Sequence, residues 1–521
     1  MAAAGVEFDS WRTLLNQHPI SKYLRKCVET GTSRHQSKDA KSLICIQSSD
    51  LFIWNASGGC ILHCNLKSLT AAHENSTETE SESTRSRSSE GRENLLFGAA
   101  GAQTSSFQRL VAGDLFSVDV ESISVNRSCS HLLLWGPREI RVVELPRRWG
   151  KNAVFEGGKE TVTCKSVKVG GRVLNRSRSL KVLQVSWHPG SKTNSHLAVL
   201  TSDNRFCVYS ILEAEQAISS VFICSGDVAQ ETSPSKSFVG AALGEVAVAF
   251  DFGIPITVRG KRQVMMTTAG SSSRLLPSIE VWPVYCVRGN GAVMLIYSHL
   301  SDINPAKLPV QGPLAMYPPA DDNYGNDACS ILCLPTPIPV VVVSTCEGRL
   351  HHCVQLPSSD EDLSLQNETT SSLLSERVSS GLWEPMQEPI LYVIETAVLE
   401  LCLNVPQIDD FPVEDEFMCP VLLKKDANSP DRYHCSHAAG VHSVALPWLT
   451  SVQQYFLDDE DFSLPEEKEC VVEHVICTKP LYSCPTSPVL GLDVVTDPLL
   501  GATLVVLSSD LEFSVLPIGL V

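Results

Sequence analysis

One pattern recurs along this chain and limits the folds open to it: an apolar run rich in β-branched residues, a short turn, and a second strand-like run. It occurs at 42–56, 131–146, 196–211, 279–298, 339–356 and 503–518. The turns contain Ser or Thr with Asp, Glu-Gly, Gly-Pro or Gly-Asn-Gly, and such residues accept the backbone angles of tight turns. Each copy therefore predicts a β-hairpin with one strand deeply buried and the next partly exposed.

Some of these hairpins have a further strand on their N-terminal side. The run at 180–189 precedes the hairpin at 196–211, and the run at 489–498 precedes the hairpin at 503–518. A strand, a hairpin and an outer strand together make a four-stranded blade, and blades arranged radially leave only short, protected edges. The pattern is therefore typical of a β-propeller.

The number of blades follows from counting these units. Six hairpins are present, and the segments 389–404 and 440–448 together predict a seventh blade in the gap before the last one. The predicted fold is all-β, a seven-bladed β-propeller over residues 41–521. Residues 1–40 are predicted to form an N-terminal extension that closes or flanks this propeller.

Insertions must separate the strands, because seven blades in 521 residues leave about 74 residues for each, against roughly 40 to 45 in a WD40 repeat. The Ser-, Glu- and Arg-rich segment 71–94 has almost no apolar residues, so it is predicted to be disordered. Acidic loops are predicted at 357–380, 409–417 and 458–469. Helical patterns occur at 10–29, where Pro19 interrupts them, and at 451–461.

Charge and composition exclude several classes of function. Acidic residues outnumber basic ones, 59 to 41, and the formal net charge of −18 disfavours direct binding of a nucleic-acid backbone. The most apolar stretches fall short of the 18 or so residues that a membrane helix needs, so no membrane insertion is predicted. The N-terminal sequence has no secretory pattern, and the 19 cysteines are therefore predicted to be reduced thiols in the cytosol or nucleus.

The segment 432–448 contains the densest group of metal-binding residue types: His434, Cys435, His437 and His442. A structural zinc site normally combines two ligand pairs on either side of a loop, and no second pair stands at such a spacing here. We interpret the segment as a loop leading into a strand, with His442 at the edge of a core. A zinc-dependent hydrolase built on His434, Cys435 and His437 is the less favoured alternative.

Known catalytic and nucleotide-binding motifs are missing from the sequence. It contains no G-x-S-x-G elbow, no H-E-x-x-H motif and no Walker A motif. We therefore predict that the chain is not an enzyme and that it has no catalytic residues, cofactor or bound metal.

Two segments are candidates for protein binding. The basic stretch 145–172 carries Arg147, Arg148 and Trp149, which suit an acidic partner, although a loop between blades with Trp149 packed at the rim explains it as well. The segment 312–335 joins Tyr317 and Tyr324 with several prolines. Stiff loops and aromatic side chains lose little entropy on binding, but a turn between blades often has the same composition.

Six motifs, in this order along the chain, resemble the N-terminal region of the vertebrate members of the eighty-eight-kilodalton nucleoporin family. They are "LPRRWGKNAVFEGGK", "LTSDNRFCVYS", "GEVAVAFDFG", "PADDNYGNDACSILCLP", "RYHCSHAAGVHSVALPW" and "CTKPL". The resemblance implies a seven-bladed propeller without catalytic activity. It also implies a scaffold at the nuclear envelope, on the cytoplasmic face of the nuclear pore complex, that supports nuclear export of protein and mRNA and nucleocytoplasmic transport.

The same resemblance implies partners and a docking site. The partners would be the autoproteolytic domain of the ninety-eight-kilodalton nucleoporin, and the large cytoplasmic Phe-Gly-repeat nucleoporin with its central-channel partner. The export machinery would be bound indirectly. In the fungal counterpart an acidic residue and aromatics on one propeller face form the contact. Matched by motif, these roles are expected for Asp203, Tyr317 and Tyr324, with Asp322 beside them.

The sequence departs from the family in one respect. Family members continue into coiled-coil helices that bind the Phe-Gly-repeat nucleoporin and its partner, whereas no heptad pattern is present here. Coiled-coil assembly is therefore not assigned to these residues. A WD-type propeller adaptor in another pathway, such as ubiquitin ligation, is the alternative function within the same fold class.

Overall fold

The computed structural model describes fifteen stretches of the chain, and all structural statements concern them. They are residues 10–30, 39–69, 106–113, 119–149, 154–223, 244–258, 262–267, 270–275, 278–300, 310–320, 324–357, 388–401, 417–457, 469–479 and 485–519. These residues form mostly β-strands, and seven sheets of three to five strands correspond to the seven blades of a β-propeller. The predicted fold class is therefore confirmed.

Two helices precede the first blade. They are α1 (Ser10–Gln17) and α2 (Pro19–Thr30), and the break between them falls at the predicted position. Proline is well tolerated in the first turn of a helix, where its missing N–H would have no partner inside the helix. Within the described residues, no helix has the length and apolar character that crossing a membrane requires.

The first two blades use strands β1 to β7, β10 and β11. Blade 1 comprises β1 (Ile44–Gln47), β2 (Asp50–Asn55), β3 (Cys60–Asn65), β4 (Gln108–Ala112) and β10 (Thr161–Cys164), the last parallel to β4. Blade 2 comprises β5 (Ser122–Val125), β6 (His131–Gly136), β7 (Glu139–Glu144) and β11 (Ser166–Lys168). A small hairpin of β8 (Arg148–Trp149) and β9 (Val154–Phe155) lies between β7 and β10 in sequence.

Blades 3 and 4 follow a short helix, α3 (Gly171–Arg176). Blade 3 comprises β12 (Val182–Trp187), β13 (His196–Thr201), β14 (Arg205–Ser210) and β15 (Ala217–Phe222). Blade 4 comprises β16 (Ala247–Phe252), β17 (Ile256–Val258), β20 (Ile279–Arg288) and β21 (Val293–Ser298). A separate hairpin of β18 (Arg262–Thr267) and β19 (Gly270–Leu275) interrupts blade 4, and the sequence pattern did not indicate it.

Blades 5 to 7 complete the set. Blade 5 comprises β22 (Met316–Tyr317), β23 (Ala328–Leu334), β24 (Val340–Thr345), β25 (Arg349–Leu356) and β26 (Ile390–Val398). Blade 6 comprises β27 (Leu422–Lys425), β28 (Arg432–His437), β29 (Gly440–Ala445) and β30 (Val471–Cys477), with α4 (Leu449–Leu457) between the last two. Blade 7 comprises β31 (Val489–Val495), β32 (Thr503–Ser508) and β33 (Phe513–Pro517).

The chain divides into two compact units. Unit 1 contains residues 1–169 and 487–521, with blades 1, 2 and 7, and unit 2 contains residues 170–486, with blades 3 to 6. The predicted boundary between an N-terminal extension (1–40) and the propeller (41–521) does not correspond to this division and stays a prediction. In unit 1, however, Trp11, Leu15, Ile20 and Leu24 of the two helices lie in the same buried apolar cluster as residues of blades 1 and 7.

Edge strands of neighbouring blades are joined within each unit by side chains that bond to backbone. In unit 1, Asp493 Oδ2 accepts a hydrogen bond of 2.7 Å from Ile46 N, which joins β31 to β1. In unit 2, Gln184 bonds to both the N–H and the carbonyl of Phe250, which joins β12 to β16. Asp251 Oδ2 accepts from Cys333 N at 2.8 Å, which joins β16 to β23. These bonds satisfy backbone N–H and carbonyl groups of the strands.

The six hairpins expected from the sequence are all present, but the composition of the remaining blade was predicted wrongly. Residues 389–404 and 440–448 do not share a blade, since β26 pairs with β25 in blade 5 and β29 pairs with β28 in blade 6. The stretch 432–437 is also a strand, not a loop. Its Arg and His residues interrupt the apolar run that predicts a strand, although all six residues of β28 are buried.

The predicted insertions lie almost wholly outside the described residues. This holds for 71–94, for 357–380 after Pro357, for 409–417 before Phe417 and for 458–469 before Glu469. The short helix expected within 451–461 is confirmed as α4.

Candidate protein-binding site

One end of unit 2 is built from turns that are bonded to one another, and we call it the turn face. It consists of the turns at 201–205, 288–293 and 345–349, each within a hairpin, and of the segments 244–247, 324–328 and 417–421, which lead into the edge strands β16, β23 and β27 of the next blades. Asn204 accepts from Ala247 N at 2.7 Å, Gly289 O accepts from Ala328 N at 3.2 Å, and Cys346 O accepts from Cys419 N at 2.9 Å. Each turn is thus tied to the start of the next blade.

Asp203 lies in the first of these turns and is partly exposed. Its Oδ1 accepts a hydrogen bond of 2.6 Å from Thr201 Oγ1, and its Oδ2 lies 3.2 Å from Arg205 Nε. The side chain remains 42% exposed. The carboxylate is therefore held in one orientation while it stays accessible to a partner.

Tyr324 lies on the turn face between blades 4 and 5. Its hydroxyl donates to Pro318 O at 2.9 Å, and its ring meets His351 edge-on with 5.3 Å between centroids. Its carbonyl oxygen approaches Gly291, whose backbone has φ of 82°, so closely that a Cβ there would lie 1.8 Å from it. A glycine is therefore required at 291, and the close contact fixes the backbone of Tyr324.

Tyr317 lies on the outer edge of blade 5 and is linked to Tyr324. Strand β22 pairs with β26 so that Tyr317 stands beside Tyr392, which is 46% exposed. The hydroxyl of Tyr324 donates to the carbonyl oxygen of Pro318, which is the residue after Tyr317. The two predicted tyrosines therefore belong to one folded segment. Asp322 lies outside the described residues.

The sequence pattern missed Tyr392 as a surface aromatic of this region. Tyr392 lies in 389–404, which the sequence analysis assigned to a different blade. The signal that could have revealed it is the alternation along this segment, because Leu391 is buried and the next residue, Tyr392, is exposed. In the sheet, Tyr392 stands beside the Tyr-Pro pair at 317–318.

The basic stretch of unit 1 has one engaged and two exposed residues. Arg148 forms an ion pair with Asp50, and its guanidinium carbon lies 4.3 Å from the centroid of the Phe155 ring. Arg147 is exposed, and Trp149 is 51% exposed. The indole of Trp149 lies against Gly157, where a Cβ would come within 2.5 Å of its Nε1. Trp149 and Arg147 are therefore the accessible members of the predicted group.

Asp50 shows why Arg148 is engaged. Burial by itself raises the pKa of the Asp50 carboxyl, but hydrogen bonds and charges from His63 and Arg148 outweigh this, so the pKa lies below its usual value. His63 Nε2 lies 2.9 Å from Asp50 Oδ1. The charge of Arg148 therefore stabilises a buried carboxylate of the protein itself.

The histidines of β28 and β29 do not converge with Cys435 on one ion. His434 and Cys435 are consecutive strand residues, so their side chains point to opposite faces of the sheet. His434 Nε2 lies 3.5 Å from Asp426 Oδ2, whereas His437 Nε2 lies 2.9 Å from His442 Nδ1. His442 is buried and hydrogen-bonded to His437. No disulfide joins two cysteines of the described stretches.

A comparison with protein-family models identifies the chain. The model described as "Nup88: Nuclear pore component" matches residues 10–520, which is nearly the whole sequence. The chain belongs to the Nup88 family. It is therefore a component of the nuclear pore complex, and the resemblance stated from its motifs is confirmed.

Other comparisons bear on relatives and fold. This Nup88-family chain is 38% identical over 93 residues to "Nuclear pore complex protein NUP88" of Arabidopsis thaliana, a match that spans 18% of the chain and 10% of that relative.

Among solved structures, the chain is similar to one in the Chaetomium thermophilum heterotrimeric complex of Nup82 NTD, Nup159 TAIL and Nup145N APD. The TM-score is 0.58 and the identity 12%, with 92% of this chain and 95% of that chain covered. A chain of the yeast Nup82–Nup159–Nup116 complex has a TM-score of 0.48, 12% identity, and coverage of 93% and 98%. The first of these likenesses supports the fold.

Proposed function

We propose that this Nup88-family chain is a non-enzymatic docking scaffold on the cytoplasmic face of the nuclear pore complex. It binds other nucleoporins and thereby supports nuclear export of protein and mRNA. The observation that carries the proposal is the family match across residues 10–520, on a fold built of seven mainly antiparallel sheets. A WD-type adaptor of another pathway has the same fold but is not supported by that match.

The docking site of the proposal is the turn face of unit 2, with Asp203 and Tyr324 as its main contacts and Tyr317 beside them. Both main residues are held in place before any partner arrives, Asp203 by Thr201 and Tyr324 by Pro318 and Gly291. A preorganised surface loses little conformational entropy on binding, so more of the contact energy appears as affinity. Asp322 is a further contact that the motif match proposes.

The partners follow from chemistry and from relatives. The net charge of −18 favours association with basic surfaces. The similar Chaetomium chain comes from a complex that contains an Nup145N APD and an Nup159 TAIL. We propose the corresponding autoproteolytic domain of the ninety-eight-kilodalton nucleoporin as the partner of the turn face. Binding of the large Phe-Gly-repeat nucleoporin and its central-channel partner is proposed to depend mainly on coiled coils.

The absence of enzymatic activity is also part of the proposal. The alternative zinc hydrolase needs His434, Cys435 and His437 around one ion. The alternation of strand residues directs His434 away from the other two. Within the described residues, the histidines at 437 and 442 bond to each other and are buried, so they offer no accessible reaction site.

A binding measurement tests the proposed site. We expect Asp203→Lys and Tyr324→Ala each to weaken binding of the purified autoproteolytic domain by about tenfold or more, as is usual for central interface residues. Asp119→Lys, an exposed acidic residue of unit 1, is the matched control and should bind like the unchanged chain. Unchanged affinity in both turn-face variants would show that the site lies elsewhere. Arg147→Glu and Trp149→Ala then test the basic stretch of unit 1.

A tagged chain tests the location. Labelling at a punctate nuclear rim, on its cytoplasmic side by immuno-electron microscopy, is the expected result. Diffuse cytosolic labelling would favour the adaptor of another pathway.

A further inference from the structure

Three side chains of unit 2 that the docking proposal does not use converge inside blades 5 and 6. They are His352 of β25, Glu395 of β26 and Cys470, just before β30. One ligand atom from each lies within 4.8 Å of the other two, and in the described part of the chain no other three His, Cys, Asp or Glu residues meet in this way. His352 and Glu395 are direct cross-strand partners, so their side chains share one face of the sheet.

His352 is oriented as a metal-binding histidine would be. Its side chain is fully buried, and its Nε2 lies 2.6 Å from Tyr433 Oη. If the hydroxyl of Tyr433 accepts from Nε2–H, the lone pair of the ring is on Nδ1, which faces Glu395 and Cys470. A partner on one ring nitrogen that leaves the other free to bind an ion is the usual support of a metal-ligating histidine.

The contact between His352 and Glu395 has a separation that suits two ligands of one ion. Nδ1 lies 3.2 Å from Glu395 Oε1, and the alignment of the two groups is poor for a hydrogen bond. Two ligands about 2.0 to 2.1 Å from one tetrahedral ion stand about 3.3 Å apart. The observed distance of 3.2 Å between Nδ1 and Oε1 is therefore close to that of two ligands of one ion.

The carboxylate of Glu395 is held in position from two sides. Trp448 Nε1 donates to Oε1 at 2.6 Å, and the backbone N–H of Cys470 donates to Oε2 at 2.9 Å. A carboxylate accepts about four hydrogen bonds or metal contacts in all, so both oxygens keep lone pairs for an ion. The bond from the Cys470 backbone also places the Cys470 side chain beside the carboxylate.

The donor set and its charge indicate which ion fits. One imidazole nitrogen, one carboxylate oxygen and one thiolate sulfur match Zn²⁺, whereas Ca²⁺ and Mg²⁺ prefer oxygen ligands only. A carboxylate and a thiolate together neutralise a divalent cation, which reduces the cost of placing that ion away from water.

We propose that His352 Nδ1, Glu395 and Cys470 Sγ bind one divalent transition-metal ion, with Zn²⁺ as the best fit. With three protein ligands, a water completes a tetrahedral site. Trp448 and Tyr433, which contact the ligands, both lie in the buried apolar cluster of blades 5 and 6. Glu395 and Cys470 are partly exposed, so a water can reach the ion. The ion joins β25 and β26 of blade 5 to the residue before β30 of blade 6.

Metal binding by the full chain tests the proposal. We expect about one zinc ion per chain after purification and dialysis, measured by mass spectrometry of the metal. Replacement by Co²⁺ should produce the near-ultraviolet charge-transfer band of a cobalt–thiolate bond and the visible bands of a tetrahedral site. Removal of the metal by a chelator should lower the thermal unfolding temperature.

Variants locate the site. Cys470→Ser should lose the cobalt–thiolate band and bind zinc at least about tenfold more weakly, as loss of a ligand requires. Cys477→Ser, at the far end of β30, is the matched control, and because its thiol is exposed it should behave like the unchanged chain. A chain that binds neither ion, or a Cys470→Ser variant that keeps the band, overturns the proposal. If that variant does not fold, X-ray absorption of the unchanged zinc-loaded chain decides, since a shell without sulfur also overturns it.

Discussion

At the scale of single residues, the histidines of blade 6 show how burial sets charge. His437 Nε2 lies 2.9 Å from His442 Nδ1, and the rings of His442 and His474 stack with 4.0 Å between centroids. Burial, followed by the charge of the neighbouring histidines, lowers the pKa of His437 to about 3 and that of His442 to about 2. Both rings are therefore neutral in the folded protein near pH 7.

These lowered pKa values predict a loss of stability in mild acid. The unfolded chain protonates each histidine near pH 6.5, whereas the folded chain does not, so the full stability is present above pH 6.5 and falls as the pH drops towards the folded-state values. At pH 5 each ring costs at most about 2 kcal/mol of unfolding free energy. Urea unfolding at pH 7, 6 and 5 measures this loss.

A substitution assigns the effect to this cluster. We expect His442→Gln to lose less unfolding free energy between pH 7 and pH 5 than the unchanged chain. His131→Gln is the comparison, because burial also lowers the pKa of His131, but this histidine is only half-buried and lies in unit 1, so its substitution should remove a smaller part of the loss. Equal pH dependence in all three chains would show that the cluster does not cause the acid sensitivity.

At the scale of elements, local sequence determined the hairpins well. Strands β13 and β14 pair around the turn at 201–205 as the predicted hairpin, because alternating apolar residues and a turn sequence act between neighbours in the chain. The assignment of β26 and β29 to blades failed for the opposite reason. Their partner strands are determined by how the sheets pack, across long insertions in the sequence. The alternation of residues along one strand contains no information about this packing.

The attachment of α1 to β33 of blade 7 is a second contact that local sequence did not reveal. Asn16 Nδ2 donates to Phe513 O at 2.7 Å, and Asn16 Oδ1 accepts from Phe513 N at 2.8 Å. One side chain thus satisfies both backbone groups of a residue in β33, in the manner of a neighbouring strand.

Removal of this amide should loosen the helix from the blade. We expect Asn16→Ala to lower the unfolding free energy by about 2 kcal/mol, because two hydrogen bonds are lost and the groups of Phe513 keep no partner from α1. Gln17→Ala, at the next and exposed position, should change it by less than about 0.5 kcal/mol. Chemical denaturation of the full chain compares them. A similar effect of both substitutions would contradict the role of Asn16.

At the scale of the whole molecule, the net charge of −18 acts over a longer range than any contact. An acidic protein attracts a basic partner before the two touch, and salt screens this attraction over about 8 to 10 Å at physiological ionic strength.

We therefore expect the association rate constant with the autoproteolytic domain to fall by about tenfold or more between roughly 50 and 500 mM NaCl. The dissociation rate constant should change much less. Stopped-flow or surface-based kinetics measures both. An association rate independent of salt would mean that the charge of the chain does not steer this partner.

The sequence by itself determined the fold class, the six hairpins and the family. Hairpins depend on residues that are close along the chain, and a motif keeps its identity whatever its surroundings. Only the tertiary structure decided that β26 belongs to blade 5, that α1 and α2 share the core of unit 1, and that His352, Glu395 and Cys470 meet. Such contacts join residues far apart in the sequence, and their formation depends on how whole sheets pack rather than on any local pattern.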